Sequence, residues 1–107
     1  MESLKLGGFE ELLLLCVYSL QDEAYGAAIQ RRVERESRRP TSIGAVYATL
    51  DRLERKRFID SWLSEPSGLR GGRRRRYFRI RPLGVRALKA VRRTREAVWA
   101  AIEREQA

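Results

Sequence analysis

With 107 residues, the chain is long enough for one domain with a modest core and little surplus surface to bury. Lys and Arg number 23 against 14 Asp and Glu, a net charge of +9, and this excess points to a polyanionic partner, either nucleic acid or an anionic membrane surface. The absence of histidine and the single cysteine exclude a zinc site, and any Cys/His or Ser/His catalytic pair, built within the chain.

No apolar run approaches the roughly 18 residues of a membrane span. The N-terminus carries Glu2 and Lys5 and lacks the charged-then-apolar order of a signal peptide. Cys16 sits inside an apolar run, as expected of a reduced core thiol in a cytoplasmic protein. The composition reads as a cytoplasmic, non-enzymatic protein without a cofactor.

Phe9 to Leu20 is dense in leucine and carries apolar residues on more than one face. A helix of that kind is either central to the core or shared with a partner subunit. Gln21-Asp22-Glu23 follows as a polar connection, and Ala24 to Glu36 reads as a second helix with Tyr25, Ala28, Ile29 and Val33 inward. Gly26, near its start, allows close approach of another backbone. Pro40 discourages helix at the residue before it.

A third helix spans Thr41 to Arg57. Ile43, Val46, Leu50 and Leu53 recur at helical spacing as an apolar stripe, while Ser42, Ala45, Thr49 and Arg52 recur on another side. Thr41 or Ser42 can cap it, because a hydroxyl there satisfies a free amide of the first turn. Two helices joined by a short turn, the second with a small, polar outer edge, make a helix-turn-helix.

From Ile59 the period changes to two. Ile59, Ser61 and Leu63 alternate with Asp60, Trp62 and Ser64, and Arg75 to Arg81 alternates again beyond the turn-rich loop Pro66 to Gly72. These segments predict a β-hairpin whose tip and second arm carry Arg70, Arg73, Arg74, Arg75, Arg76, Arg79 and Arg81. Pro82 suits the first turn of a last helix running to about Glu105, with Leu88, Val91, Val98 and Ile102 in a seam and Trp99 beside it. Between Arg70 and Arg95 there are twelve basic residues and no acidic one, a localised positive footprint.

The fold class is therefore mainly α with a small β-hairpin: a winged helix-turn-helix over residues 1–81, and a C-terminal helix over 82–107. The wording of several segments resembles the PadR-like transcriptional regulators. These are Ala24-Tyr25-Gly26 followed by Ile29, the run Ser42 to Glu54, Gly71-Gly72-Arg73 leading into Arg76-Tyr77-Phe78, and Gly84. The resemblance implies a homodimeric repressor of the branch with one C-terminal helix, in which that helix dimerises by packing on the partner's N-terminal helix. On this basis Leu13, Val17, Leu88, Val91, Val98, Trp99 and Ile102 are the expected dimer interface. Three positions depart from the family's pattern. Arg57 stands where a glycine usually closes the third helix, which implies strain or another exit. Arg81 replaces a capping threonine, and Ala48 replaces a proline, which should leave the third helix straighter.

The expected partner is double-stranded DNA, bound as an inverted repeat by a homodimer. Arg73, Arg74 and Arg75 would supply salt-dependent phosphate contacts. Ser42, Tyr47 and Thr49 would reach backbone or base edges, Gly44 would permit close approach, and Arg52 could take guanine in a bidentate manner. Each has a plainer alternative: a solvated hairpin for the arginines, core packing for Tyr47, and a surface pair with Glu54 or Asp51 for Arg52. Some relatives bind flat aromatic effectors at the dimer interface through an aromatic residue of the last helix. Trp99 lies about a turn beyond that place, so dimer packing ranks above ligand stacking. The rival functions are a basic RNA- or ribosome-associated module, disfavoured because Tyr77 and Phe78 point opposite ways, and a membrane-docking tail, disfavoured by arginines on several helix faces.

Overall fold

The computed structural model describes residues 4–65 and 74–106. In chain order it has α1 (Gly8–Leu20), a 3-10 turn (Gln21–Glu23), α2 (Gly26–Ser37), α3 (Ile43–Arg55), β1 (Ile59–Leu63), β2 (Arg76–Ile80) and α4 (Pro82–Glu105). The sequence-derived boundaries hold to within about two residues, including α3, where Thr41 and Ser42 precede the helix.

The strands pair antiparallel, with Ile59 opposite Ile80, Ser61 opposite Phe78 and Leu63 opposite Arg76. The Phe78 N–H also donates to the Ala24 carbonyl at 2.8 Å, and Tyr25 bridges Tyr77, which fastens the hairpin to the connection before α2. Phe78 is fully buried while its neighbours Tyr77 and Arg79 face outward, as period-two alternation requires. Leu63 breaks the alternation of β1. It is 58 % exposed although its hairpin partner Arg76 turns toward α3.

One core joins Leu13, Leu14 and Val17 of α1, Ile29 and Val33 of α2, and Val46, Leu50 and Leu53 of α3 to Phe58, Ile59, Phe78 and Ala87. Each fully buried aliphatic or aromatic side chain contributes about 1.5–3 kcal/mol by leaving water. Cys16 lies in the same core as a free thiol, and burial pushes its pKa up, which keeps it protonated and inert.

Leu13 and Val17 are therefore removed from the expected dimer interface: they are 0 % and 1 % exposed within the single chain. The reason is that α1 lies at the centre, against α2, α3, β2 and α4. Its exposed apolar residues are Phe9 near the start and, on the opposite side from the core, Leu15 and Tyr18, 45 % and 42 % exposed. Leu88 is likewise a core residue, at 7 % exposure.

The first turn of α4 lies close against Phe58, just before β1, and Ile80 of β2. Gly84 allows this, since a methyl group there would overlap the Phe58 carbonyl oxygen. From residue 92 to residue 100 every position of α4 is exposed, including Val98 and Trp99, while Val91 and Ile102 are half-buried. The start of α4 behaves as the sequence implied: Pro82 occupies the first turn and Arg81 supplies no side-chain cap.

Arg57 adopts φ 65°, in the left-handed region where side chains are strained. Its N–H donates to Glu54 O at 2.9 Å and that of Phe58 to Leu53 O at 3.0 Å, the pair of bonds that closes a Schellman ending. The geometry a glycine would favour is thus kept with an arginine. Arg38 ends α2 in the same left-handed way, at φ 57°.

Candidate nucleic-acid interface

α3 begins where Ser42 Oγ accepts the Ala45 N–H at 3.0 Å, so of the two expected caps, Thr41 and Ser42, it is Ser42 that serves. Its buried face is Val46, Thr49, Leu50 and Leu53. Thr49 is 2 % exposed, so it is not a contact residue: it stands three residues after Val46 and four before Leu53, in the middle of the buried stripe. Ile43 shows the converse error. It is 42 % exposed, at the first residue of α3, while the later residues of the stripe are buried.

The outward edge is Gly44, Ala45, Ala48, Arg52 and Arg55, all exposed. Ala48 and Arg55 were missed in the sequence, although 45, 48, 52 and 55 follow the same three-four spacing. A methyl group on Gly44 would meet nothing within 4 Å, so the fold itself does not need glycine there. Small side chains at three consecutive exposed positions of this edge let another surface come close to the helix backbone.

Tyr47 is half-buried and packs, its ring centroid 6.4 Å from that of Phe78 and its hydroxyl against Gly26. The close approach at Gly26 is thus to a side chain and not to a backbone. Arg52 donates to Thr49 Oγ1 at 3.1 Å and lies 3.8 Å from the Glu10 carboxylate, so its neighbour is on α1 and neither Asp51 nor Glu54.

Glu10 is a buried acid beneath the end of α3. It accepts the Gly7 N–H at 2.7 Å and the Lys56 ammonium at 2.9 Å. Burial alone pushes its pKa up, but the Gly7 amide, Lys56 and Arg52 outweigh that and hold it below the usual carboxylate range. The cluster fixes the N-terminus of α1 to the last turn of α3.

Of the hairpin arginines, Arg70 and Arg73 lie outside the described residues, as do Gly71 and Gly72. Arg74 is exposed. Arg75 lies over the Tyr25 ring at 4.1 Å, on the side of the hairpin away from α3. Arg76 turns toward α3, where it meets Glu54 at 2.7 Å and Asp51 at 3.3 Å. Arg79 lies 3.8 Å from Asp22, and Arg81 3.6 Å from Asp60. The acid-free run in the sequence therefore receives acids from elsewhere in the fold, and the free positive charge is narrower than the sequence suggests. Trp62 stacks on Tyr77, centroids 6.0 Å apart, with Arg79 over its ring.

On the opposite flank, α1 and α4 enclose an open groove of about 420 Å³ lined by Leu15, Tyr18, Val85, Leu88, Arg92 and Trp99. Trp99 is 64 % exposed.

The family model of the PadR-like transcriptional regulators matches residues 14–90, which takes in α2, α3, both strands and the packed part of α4. The chain belongs to this family.

Structures of PadR relatives agree along nearly the whole chain. A PadR-like transcription factor from Bacteroides fragilis superposes with TM-score 0.75 at 20 % identity, covering 90 % of this chain and 87 % of its own. A PadR family regulator from Clostridium difficile gives 0.71 at 25 % identity, over 94 % and 100 %. One from Bacillus cereus gives 0.71 at 20 %, over 92 % and 90 %. No curated protein is significantly similar to the chain in sequence. The architecture is the winged helix of PadR proteins, and the chain is a DNA-binding transcriptional regulator and not an enzyme. The β1–β2 hairpin is the wing of this fold. No helix among the described residues is long and apolar enough to cross a membrane.

Proposed function

We propose that this PadR-like regulator is a cytoplasmic repressor that binds an inverted-repeat operator as a homodimer, with α3 in the major groove and the wing on the flanking backbone or minor groove. The observation that carries the reading is the exposed edge of α3. Gly44, Ala45 and Ala48 keep it thin enough to enter a groove about 12 Å wide, and Arg52 and Arg55 add donors further along. Ser42 and Gly44 sit at the helix N-terminus, where free amides and the helix dipole favour a phosphate. Arg74, with Arg73 beside it in sequence, supplies the wing contact, and Arg75 reaches phosphate only by leaving Tyr25.

Homodimerisation is supported by the apolar groups that the single chain leaves uncovered: Leu15 and Tyr18 on α1, Val98 and Trp99 on α4. In this reading residues 1–81 bind DNA, residues 82–107 join the subunits, and Val91 and Ile102 complete the seam. Trp99 serves packing ahead of any aromatic effector. Two such subunits present their α3 helices to half-sites whose centres lie about 34 Å, or a multiple of it, apart. The RNA-binding alternative is disfavoured at the hairpin, because guanidinium groups already cover Tyr25 and Trp62.

The test is selection of bound duplexes from a random DNA pool with the purified protein. A palindromic consensus is expected, and recovery of no sequence preference, or of single-stranded RNA in preference to duplex DNA, refutes the reading.

A further inference from the structure

Glu54 is touched by both strands of the wing. Ser61 of β1 donates its hydroxyl to the Glu54 carboxylate at 2.9–3.0 Å, and Arg76 of β2 donates to Glu54 Oε1 at 2.7 Å. The other arm of the same guanidinium reaches Asp51 Oδ1, one turn back on α3, at 3.3 Å. Its plane rests over the Phe78 ring, 4.9 Å from the centroid. The guanidinium is therefore held on three sides, by two carboxylates and a core aromatic.

This arrangement is more than charge neutralisation. A single exposed ion pair fixes little, because two long side chains can follow each other through many positions. Here a planar fork meets two carboxylates spaced one helical turn apart, which sets both the height of β2 along α3 and its rotation about it. Ser61, opposite Phe78 in the hairpin, adds the second strand to the same carboxylate. Arg74, two residues before Arg76 in the chain, inherits its position from this anchor.

We propose that Arg76, Asp51 and Glu54 act as positioning residues for operator selectivity, holding the wing at a fixed distance and angle from the recognition helix. The proposal rests on the DNA-binding reading above. Base contacts from α3 and phosphate contacts from the wing can be made together only in one register on the duplex. A rigid link makes the wing's affinity conditional on α3 being in its correct place. Without the link the wing binds phosphates wherever it swings, and random DNA loses little while the operator loses much.

Glu54 separates this from simple electrostatics. Removing an acid from a DNA-binding face should tighten binding to all duplexes if charge alone mattered. Removing a positioning group should weaken the operator selectively. The experiment compares the full-length wild type with Glu54→Ala, Arg76→Ala and the double variant. It measures affinity for the selected operator and for random duplex across a salt series, with thermal unfolding followed in parallel.

Each single variant is expected to reduce the operator-to-random affinity ratio by about tenfold, a loss typical of coupled neighbours, and the double variant should be no worse than either. The slope of log affinity against log salt should stay at its wild-type value. If an alanine variant does not fold, Glu54→Gln and Arg76→Lys carry the same comparison. Tighter binding of Glu54→Ala to both duplexes overturns the proposal. So does an Arg76→Ala slope reduced by about 1, the mark of one phosphate no longer neutralised, with both duplexes weakened alike. A wild type that prefers no duplex defeats the DNA reading itself, whereas a selective wild type beside equally selective variants defeats only the positioning role.

Discussion

Gly26, at the start of α2, lies directly against the hydroxyl of Tyr47 in the middle of α3, and a methyl group on that glycine would occupy the same space. The helix-turn-helix angle is thus set by a tyrosine ring resting in a notch with no side chain. Gly26→Ala forces either the ring or the helix to move and should cost about 1–3 kcal/mol, as overpacking does. Urea unfolding of Gly26→Ala, alone and combined with Tyr47→Ala, checks this. The glycine substitution should become nearly neutral once the ring is gone, and equal costs in both backgrounds would refute the contact.

Arg57 holds a left-handed conformation that its side chain opposes, on an exposed position whose backbone makes the closing bonds of α3. Arg57→Gly keeps those bonds and removes the strain, offset in part by the greater freedom of glycine in the unfolded chain. The expected gain is about 0.5–1 kcal/mol, read as a raised unfolding midpoint with an unchanged denaturant slope. An unchanged or lowered midpoint would show that the Arg57 side chain stabilises the exit in some other way.

Arg57 also shows where sequence was informative. Its strain was legible, because a recurring family glycine implies a backbone angle and an arginine there has to adopt it. The order of elements, a hydroxyl cap at Thr41 or Ser42 and the opposite orientation of Tyr77 and Phe78 were legible for similar local reasons of spacing and capping. Burial across elements was not. Thr49 is polar and follows the spacing of an outer edge, yet it falls in the buried stripe and its hydroxyl is satisfied by Arg52. Leu13 and Val17 gave no sign of which side of a leucine-rich helix the chain itself would cover. The partners of Arg76, Arg79 and Arg81 come from positions 22 to 60, beyond the reach of any local charge count.

The Glu10 cluster makes stability depend on acid. The folded state holds the Glu10 carboxyl below its ordinary value near 4.5, so its contribution is complete above that value and is lost as pH falls through the lower folded one. Lys56→Met removes one of the groups that hold it down and leaves the burial that raises it. Acid unfolding of Lys56→Met should therefore begin at higher pH than in the wild type, while Glu10→Gln should lose the part of the acid transition that Glu10 contributes. Identical acid limbs in all three proteins would mean that this carboxylate does not couple to folding.

Wing charge and helix identity should separate in binding measurements. Replacing both Arg73 and Arg74 with alanine is expected to weaken operator and random duplex alike and to lower the salt slope by about 2, one for each phosphate left without its arginine. Arg52→Ala or Arg55→Ala should instead change which sequences are preferred, at a cost of about 1–3 kcal/mol against the cognate base pair. An unchanged salt slope in the wing double variant would place the phosphate contacts elsewhere.

The proposed subunit seam can be tested apart from the core because the two share no residues. Leu13 is buried within one chain, so Leu13→Ala should cost about 2–5 kcal/mol of folding stability. Val98 is 55 % exposed on the outer half of α4, where an aspartate meets water in the single chain but apolar surface in a dimer. Val98→Asp should keep the helical circular dichroism of the wild type, halve the mass seen by light scattering, and lose operator affinity through loss of the second half-site. Trp99→Ala should weaken the same assembly. A Val98→Asp protein that remains dimeric would move the interface off this face of α4, and a wild type that is already monomeric would leave Leu15, Tyr18, Val98 and Trp99 to some other partner.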